Sequence, residues 1–134
     1  MVGLGIGTTT PKNMLTLAST TAPQLSLSAG GGLAQWTFRN AGGNFYLSTT
    51  TVDGTATSTL SALSIIGSSG KVGIGTDSPL ALLDVNGVSA AGLGSATAPS
   101  FAIRTDLDTG MWSPTANMLA FSTLGVERLR INDY

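Results

Sequence analysis

With 134 residues, a net charge of −1 and only 10% charged side chains, the chain lies far below the roughly 25% charge of typical soluble proteins. It carries no electrostatic footprint for nucleic acid or an anionic membrane. Cysteine and histidine are both absent, which removes disulfides, thiolate metal sites, the usual general base and the usual thiol nucleophile.

Leu, Ile, Val and Phe make up about a quarter of the chain, just above the level that marks disorder. Much of the remaining apolar fraction is Ala, with Ser, Thr and Gly abundant. Solubility therefore rests on hydroxyls and backbone, a composition commoner in extracellular and fibrous β-proteins than in cytosolic enzymes. No signal peptide follows Met1, and no stretch approaches the ~20 apolar residues that span a bilayer.

The chain opens on Gly5-Ile6-Gly7-Thr8-Thr9-Thr10-Pro11 and a segment ending in Leu15-Thr16-Leu17. The same plan returns as Gly73-Ile74-Gly75-Thr76-Asp77-Ser78-Pro79, ending in Leu83-Asp84-Val85. A repeat of this length sets the expected architecture. It divides the chain into units 1–70 and 71–134. Later segments echo one another: Leu25-Ser26-Leu27 with Phe101-Ala102-Ile103, Trp36 with Trp112, Leu47-Ser48-Thr49 with Phe121-Ser122-Thr123, and Leu63-Ser64-Ile65 with Leu129-Arg130-Ile131. The chain stops at Asn132-Asp133-Tyr134, where a third unit would begin, so a fragment or terminal unit is expected. An isolated unit of roughly 60 residues buries only about 60% of its unfolded surface, and association with other chains is the simplest remedy.

Taken in order, the segments alternate with period two rather than 3.6. Ala34, Trp36 and Phe38 oppose Gln35, Thr37 and Arg39; Phe45, Leu47 and Thr49 oppose Tyr46 and Ser48. With Ala41-Gly42-Gly43-Asn44 between them, residues 34 to 50 read as a hairpin. Residues 49 to 59 read as a polar loop or weak edge strand. Leu63 and Ile65 flank Ser64, Phe101 and Ile103 flank Ala102, and Leu129 and Ile131 flank Arg130. Each pattern suits a strand with one buried face. Ser78-Pro79 supplies an N-cap and first turn, so a short turn of helix is expected over 78–83 and in the earlier copy. Residues 88 to 97 read as a linker. Asp108-Thr109-Gly110 reads as a turn.

The glycine-rich stretches lack the third glycine and the following helix of a dinucleotide site, so close backbone packing or a tight bend is the better reading. Asp106-Leu107-Asp108-Thr109-Gly110 lacks the third ligand and the closing Glu of an EF-hand, with Asn117 in that place, and reads as a surface turn rather than a calcium loop. The acids are Asp53, Asp77, Asp84, Asp106, Asp108, Glu127 and Asp133, and no pair of them reads as a catalytic couple. No catalytic, cofactor or metal residue is assigned, and no enzyme activity is expected. Trp36 and Trp112 read as core anchors rather than sugar-stacking platforms. Arg128 and Arg130 read as a solvated face or as partners of Glu127 or a neighbouring chain.

Residues 72 to 87, Val-Gly-Ile-Gly-Thr through Pro79 to Leu83-Asp84-Val85-Asn86-Gly87, resemble repeats of bacteriophage tail fibre proteins and related phage-like fibres. So does the run from Ala98-Pro99-Ser100-Phe101 through Thr109-Gly110-Met111-Trp112-Ser113-Pro114 to Glu127-Arg128-Leu129-Arg130-Ile131. Similar repeats occur in bacterial surface proteins. The resemblance implies an all-β, elongated repeat protein, an intertwined or stacked homotrimer acting as a stiff shaft. Such a shaft holds and spaces a tip that binds a host-surface glycan or protein receptor. The implied location is the virion, outside the cell and reached by lysis, or, for an adhesin, the bacterial surface. A carbohydrate-binding module is the alternative. In the trimer reading Phe38, Leu63, Ile65, Leu129 and Ile131 are the candidates for the axial core.

Overall fold

The computed structural model describes residues 3–132; Met1, Val2, Asp133 and Tyr134 lie outside them. Every regular element among those residues is a β-strand. The strands are β1 (Leu4–Ile6), β2 (Leu15–Leu17), β3 (Leu25–Leu27), β4 (Trp36–Ala41), β5 (Asn44–Thr49), β6 (Leu63–Ile65), β7 (Val72–Ile74), β8 (Leu83–Val85), β9 (Phe101–Ile103), β10 (Asp106–Trp112), β11 (Leu119–Thr123) and β12 (Val126–Ile131). They form a two-stranded sheet β1-β2, a six-stranded sheet β3-β4-β5-β6-β7-β8 and a four-stranded sheet β12-β11-β10-β9.

The chain divides into compact units at residues 1–88 and 89–134. The sequence repeat begins again at residue 71, inside the six-stranded sheet, so its boundary and that of the compact units differ. Within the first unit β3 to β6 run as an antiparallel meander, and β7 adds to β6 antiparallel. The β4–β5 hairpin closes on Gly42-Gly43, both at positive φ (60° and 83°), as a two-residue hairpin turn requires. Within the second unit β9 to β12 form a second antiparallel meander. No regular structure spans 88–94, in keeping with the expected linker.

Both Gly-Ile-Gly-Thr stretches adopt one arrangement. β1 lies parallel to β2 with Leu4↔Leu15, Gly5↔Thr16 and Ile6↔Leu17. β7 lies parallel to β8 with Val72↔Leu83, Gly73↔Asp84 and Ile74↔Val85. Leu4 N donates to Met14 O and Ala18 N to Ile6 O; likewise Val72 N donates to Leu82 O and Asn86 N to Ile74 O. Parallel strands ordinarily need a crossover of about a dozen residues or more. Here residues 7–14 and 75–82 suffice because the strands are short.

These connections contain bends and no helical turn, which corrects the helix expected over 78–83. Side chains take the place of helix hydrogen bonds. Thr76 Oγ1 accepts from Ser78 N, Asp84 Oδ2 accepts from Leu80 N at 2.8 Å, and Lys71 Nζ donates to Leu80 O. Thr8 Oγ1 accepts from Thr10 N in the earlier stretch. The chain must also return to the start of the preceding strand, which a compact turn of helix would not span. Close packing explains the central glycine of each strand. A methyl on Gly73 would meet the Thr76 carbonyl oxygen, and one on Gly5 the Thr8 carbonyl oxygen. The close-packing reading of these glycines therefore holds.

A second correction concerns Asp108-Thr109-Gly110, which lies inside β10; the turn before it falls at residues 104–105. Gly110 serves a close approach to β9, since a methyl there would strike the Phe101 carbonyl oxygen. The register between β9 and β10 shifts between Asp106 and Gly110, as at a bulge.

Candidate functional site

Side chains opposite one another in register share a face of a sheet. Across all six strands of the first unit's large sheet this gives one apolar row, Leu25–Phe38–Leu47–Leu63–Ile74–Val85. Beside it on the same face run Phe45, Ile65, Val72 and Leu83 on one flank, and Leu27 and Trp36 on the other. The four-stranded sheet has the matching row Phe101–Met111–Phe121–Leu129. The period-two expectation is met strand by strand.

Burial runs opposite to expectation. Thr37 and Ser64 are fully enclosed, and Ser48 and Ser122 nearly so. They lie on the polar face, where Thr37 Oγ1 donates to Ser48 O, Ser48 Oγ to Ser61 Oγ and Ser64 Oγ to Thr76 O. Loops cover that side. The apolar face is the less covered one: Leu25 is 44% exposed, Ile74 40%, Phe101 50% and Leu129 55%, while Phe38, Leu47, Leu63, Val85 and Met111 are half-buried. Among the described residues the one fully buried hydrophobic side chain is Ala120. A strand spacing of about 4.8 Å makes the six-stranded face on the order of 24 Å across, broad for an apolar patch on a monomer.

The structure places the axial candidates on these faces. Phe38, Leu63 and Ile65 lie on the first sheet's apolar face, and Leu129 and Ile131 on the second's. The two tryptophans do not correspond. Trp36 begins β4 opposite Leu27 and Thr49, on the apolar face, 45% exposed. Trp112 ends β10 opposite Ala120, on the other face from Met111. By register it is Met111 that corresponds to Phe38. Neither tryptophan is a buried anchor within the chain. Trp112 lines a cavity of about 120 Å³ with Phe101, Met111 and Leu119, and its Nε1 has no acceptor.

Most of the acids hold backbone or partner side chains. Asp53 accepts from Thr51 Oγ1 and from Thr55, which lowers its pKa. Asp77 Oδ1 accepts from Ser61 N. Glu127 pairs with Arg130 at 2.6 Å on the surface, and the Arg130 hydrogen bonds lower its pKa. Arg128 donates to Thr123 Oγ1. Asp106 and Asp108 stand two apart on β10, and their mutual hydrogen bond, then desolvation and repulsion, raises the pKa of Asp108. Among the described residues no three acidic, histidine or cysteine side chains gather where a metal would bind, and no helix is long and apolar enough to cross a membrane. Asp133 lies outside the described residues.

No protein-family model, curated protein or solved structure matches the chain.

Proposed function

We propose that the chain is a structural segment of a trimeric fibre, a shaft that holds and spaces a host-receptor-binding tip, of the phage tail fibre kind. The single observation that carries this reading is the half-covered apolar row Leu25–Phe38–Leu47–Leu63–Ile74–Val85, set back to back with a buried layer of serine and threonine. A lone chain gains little from a core of that composition. Fully burying a Leu, Ile or Phe side chain is worth about 1.5–3 kcal/mol relative to exposure, and part of that gain is unrealised along a row whose members are half-buried or, at Leu25 and Ile74, exposed. Three copies facing inward bury the rows against one another and leave the polar, loop-covered faces toward solvent. The resemblance of residues 72–87 to fibre repeats supports three copies about an axis over two.

The working role is mechanical. Interchain packing along the axis stiffens the segment, and the paucity of charge leaves a hydroxyl-rich exterior. Partners are other copies of this chain, and beyond the shaft a host-surface glycan or protein receptor. The extracellular virion is the matching location; a bacterial surface adhesin would use the same physics.

Sedimentation velocity tests the proposal. Three copies in a particle with a high frictional ratio are expected. A compact single copy would overturn it and would favour a carbohydrate-binding module presenting Trp36.

A further inference from the structure

We infer that the outer edge of β1 is a docking site for β12 of a second copy, joined antiparallel with Ile6 opposite Leu129 and Leu4 opposite Ile131. The chain displays this joint once already. β6, the last strand of the first meander, pairs with β7 through Leu63↔Ile74, Ser64↔Gly73 and Ile65↔Val72. β7 and β1 are the same structure: each is the Gly-Ile strand of a parallel pair, with the same flanking backbone bonds and the same threonine carbonyl over its central glycine. β12 stands to the second meander as β6 stands to the first, on the outside of β11. What differs is that, among the described residues, β1 has only β2 beside it.

Register supplies the second argument. The row across the complete six-stranded sheet is Leu25–Phe38–Leu47–Leu63–Ile74–Val85. The four-stranded sheet contributes Phe101–Met111–Phe121–Leu129, and the two-stranded sheet Ile6–Leu17. Joined in the inferred register they give Phe101–Met111–Phe121–Leu129–Ile6–Leu17, apolar at every position and equal in length to the first row. The four-stranded and two-stranded sheets are thus the two parts of a second six-stranded sheet, contributed by different copies. Ile6 and Leu129, 58% and 55% exposed, would come together on one face. An open strand edge is a template for such pairing, and the joint is head-to-tail rather than two-fold symmetric. It does not depend on threefold packing.

Disulfide trapping between two single variants tests it, because the chain has no cysteine of its own. The bonds Gly75 N to Ala62 O and Ile66 N to Lys71 O make Leu63↔Ile74 a non-hydrogen-bonded pair, whose Cα separation of about 4.5 Å admits a disulfide. Ile6→Cys and Leu129→Cys proteins are mixed at high concentration and oxidised, with Val126→Cys replacing Leu129→Cys as the off-register control. The expected result is a mixed disulfide to Leu129→Cys about fivefold or more above that to Val126→Cys, as the narrow geometry of the bond demands. Equal yields would overturn the inference. The readout reports edge pairing whether or not the diluted protein holds three copies, so failure here and failure of the trimer reading are separable.

Discussion

The Ser64 hydroxyl donates to the Thr76 carbonyl at 2.7 Å directly over Gly73, the residue that Ser64 faces across the β6–β7 ladder. A methyl on Gly73 would lie 2.7 Å from that hydroxyl oxygen and would also strike the Thr76 carbonyl oxygen. Strand, glycine and returning loop are therefore locked by one contact. Gly73→Ala is expected to cost about 1–3 kcal/mol, as overpacking does. Ser64→Ala should cost about 1 kcal/mol through the lost hydrogen bond. Urea unfolding midpoints check both.

Leu124 is a sequence choice that works against its own turn. It joins β11 to β12 with φ at 53°, in the left-handed region, and is 77% exposed. A left-handed residue other than Gly, Asn or Asp carries a penalty of roughly 1–2 kcal/mol. Leu124→Asn, which restores the Asn-Gly hairpin turn, is expected to stabilise the fold by roughly 1 kcal/mol. Thermal melts of the two proteins at equal concentration read the difference.

The Asp106–Asp108 pair gives a pH dependence with a definite sign. Asp108 holds its proton more tightly in the folded chain, chiefly through the hydrogen bond with Asp106. Its contribution is therefore present below the unfolded-state pKa and is lost as pH rises through the folded value. Asp53 and Glu127, both lowered, run the other way: their contributions are present above the unfolded value and lost as pH falls through the folded one. Asp108→Asn is expected to melt higher than the parent at neutral pH, with the difference shrinking as pH falls below the usual carboxylate range. Asp53 is exposed and Asp108 and Glu127 are partly so, which keeps the effects small. Melting curves at neutral and acid pH decide it.

Much of the strand pattern was legible from the residues. Alternation around Trp36, Phe38 and Leu47 located the hairpin, and Gly42-Gly43 located its turn. The paired Gly-Ile-Gly-Thr stretches announced that one local structure would occur twice. Alternation has no sign, however: it separates the two faces of a strand without saying which one the rest of the chain covers. The burial of Thr37 and Ser64 beneath loops, with Phe38 and Leu63 only half-buried, depends on long-range placement of residues 50–61 and 75–77. Ser78-Pro79 has good helix-start chemistry, yet the parallel return of β8 along β7 claims those residues. Likewise Gly110 signals a turn by composition but serves the approach of β9. The Trp36–Trp112 match failed because a bulge in β10 offsets it from β4.

In the proposed fibre, other copies of the chain cover the apolar face. Light scattering after size exclusion, on protein diluted to low concentration, tests it most directly when run on the parent, Leu47→Glu and Ser26→Glu. Leu47 lies mid-row, while Ser26 lies on the opposite face of the same sheet and is exposed. A mass of three chains is expected for the parent and Ser26→Glu, and dissociation for Leu47→Glu. A folded parent with the mass of one chain would contradict it.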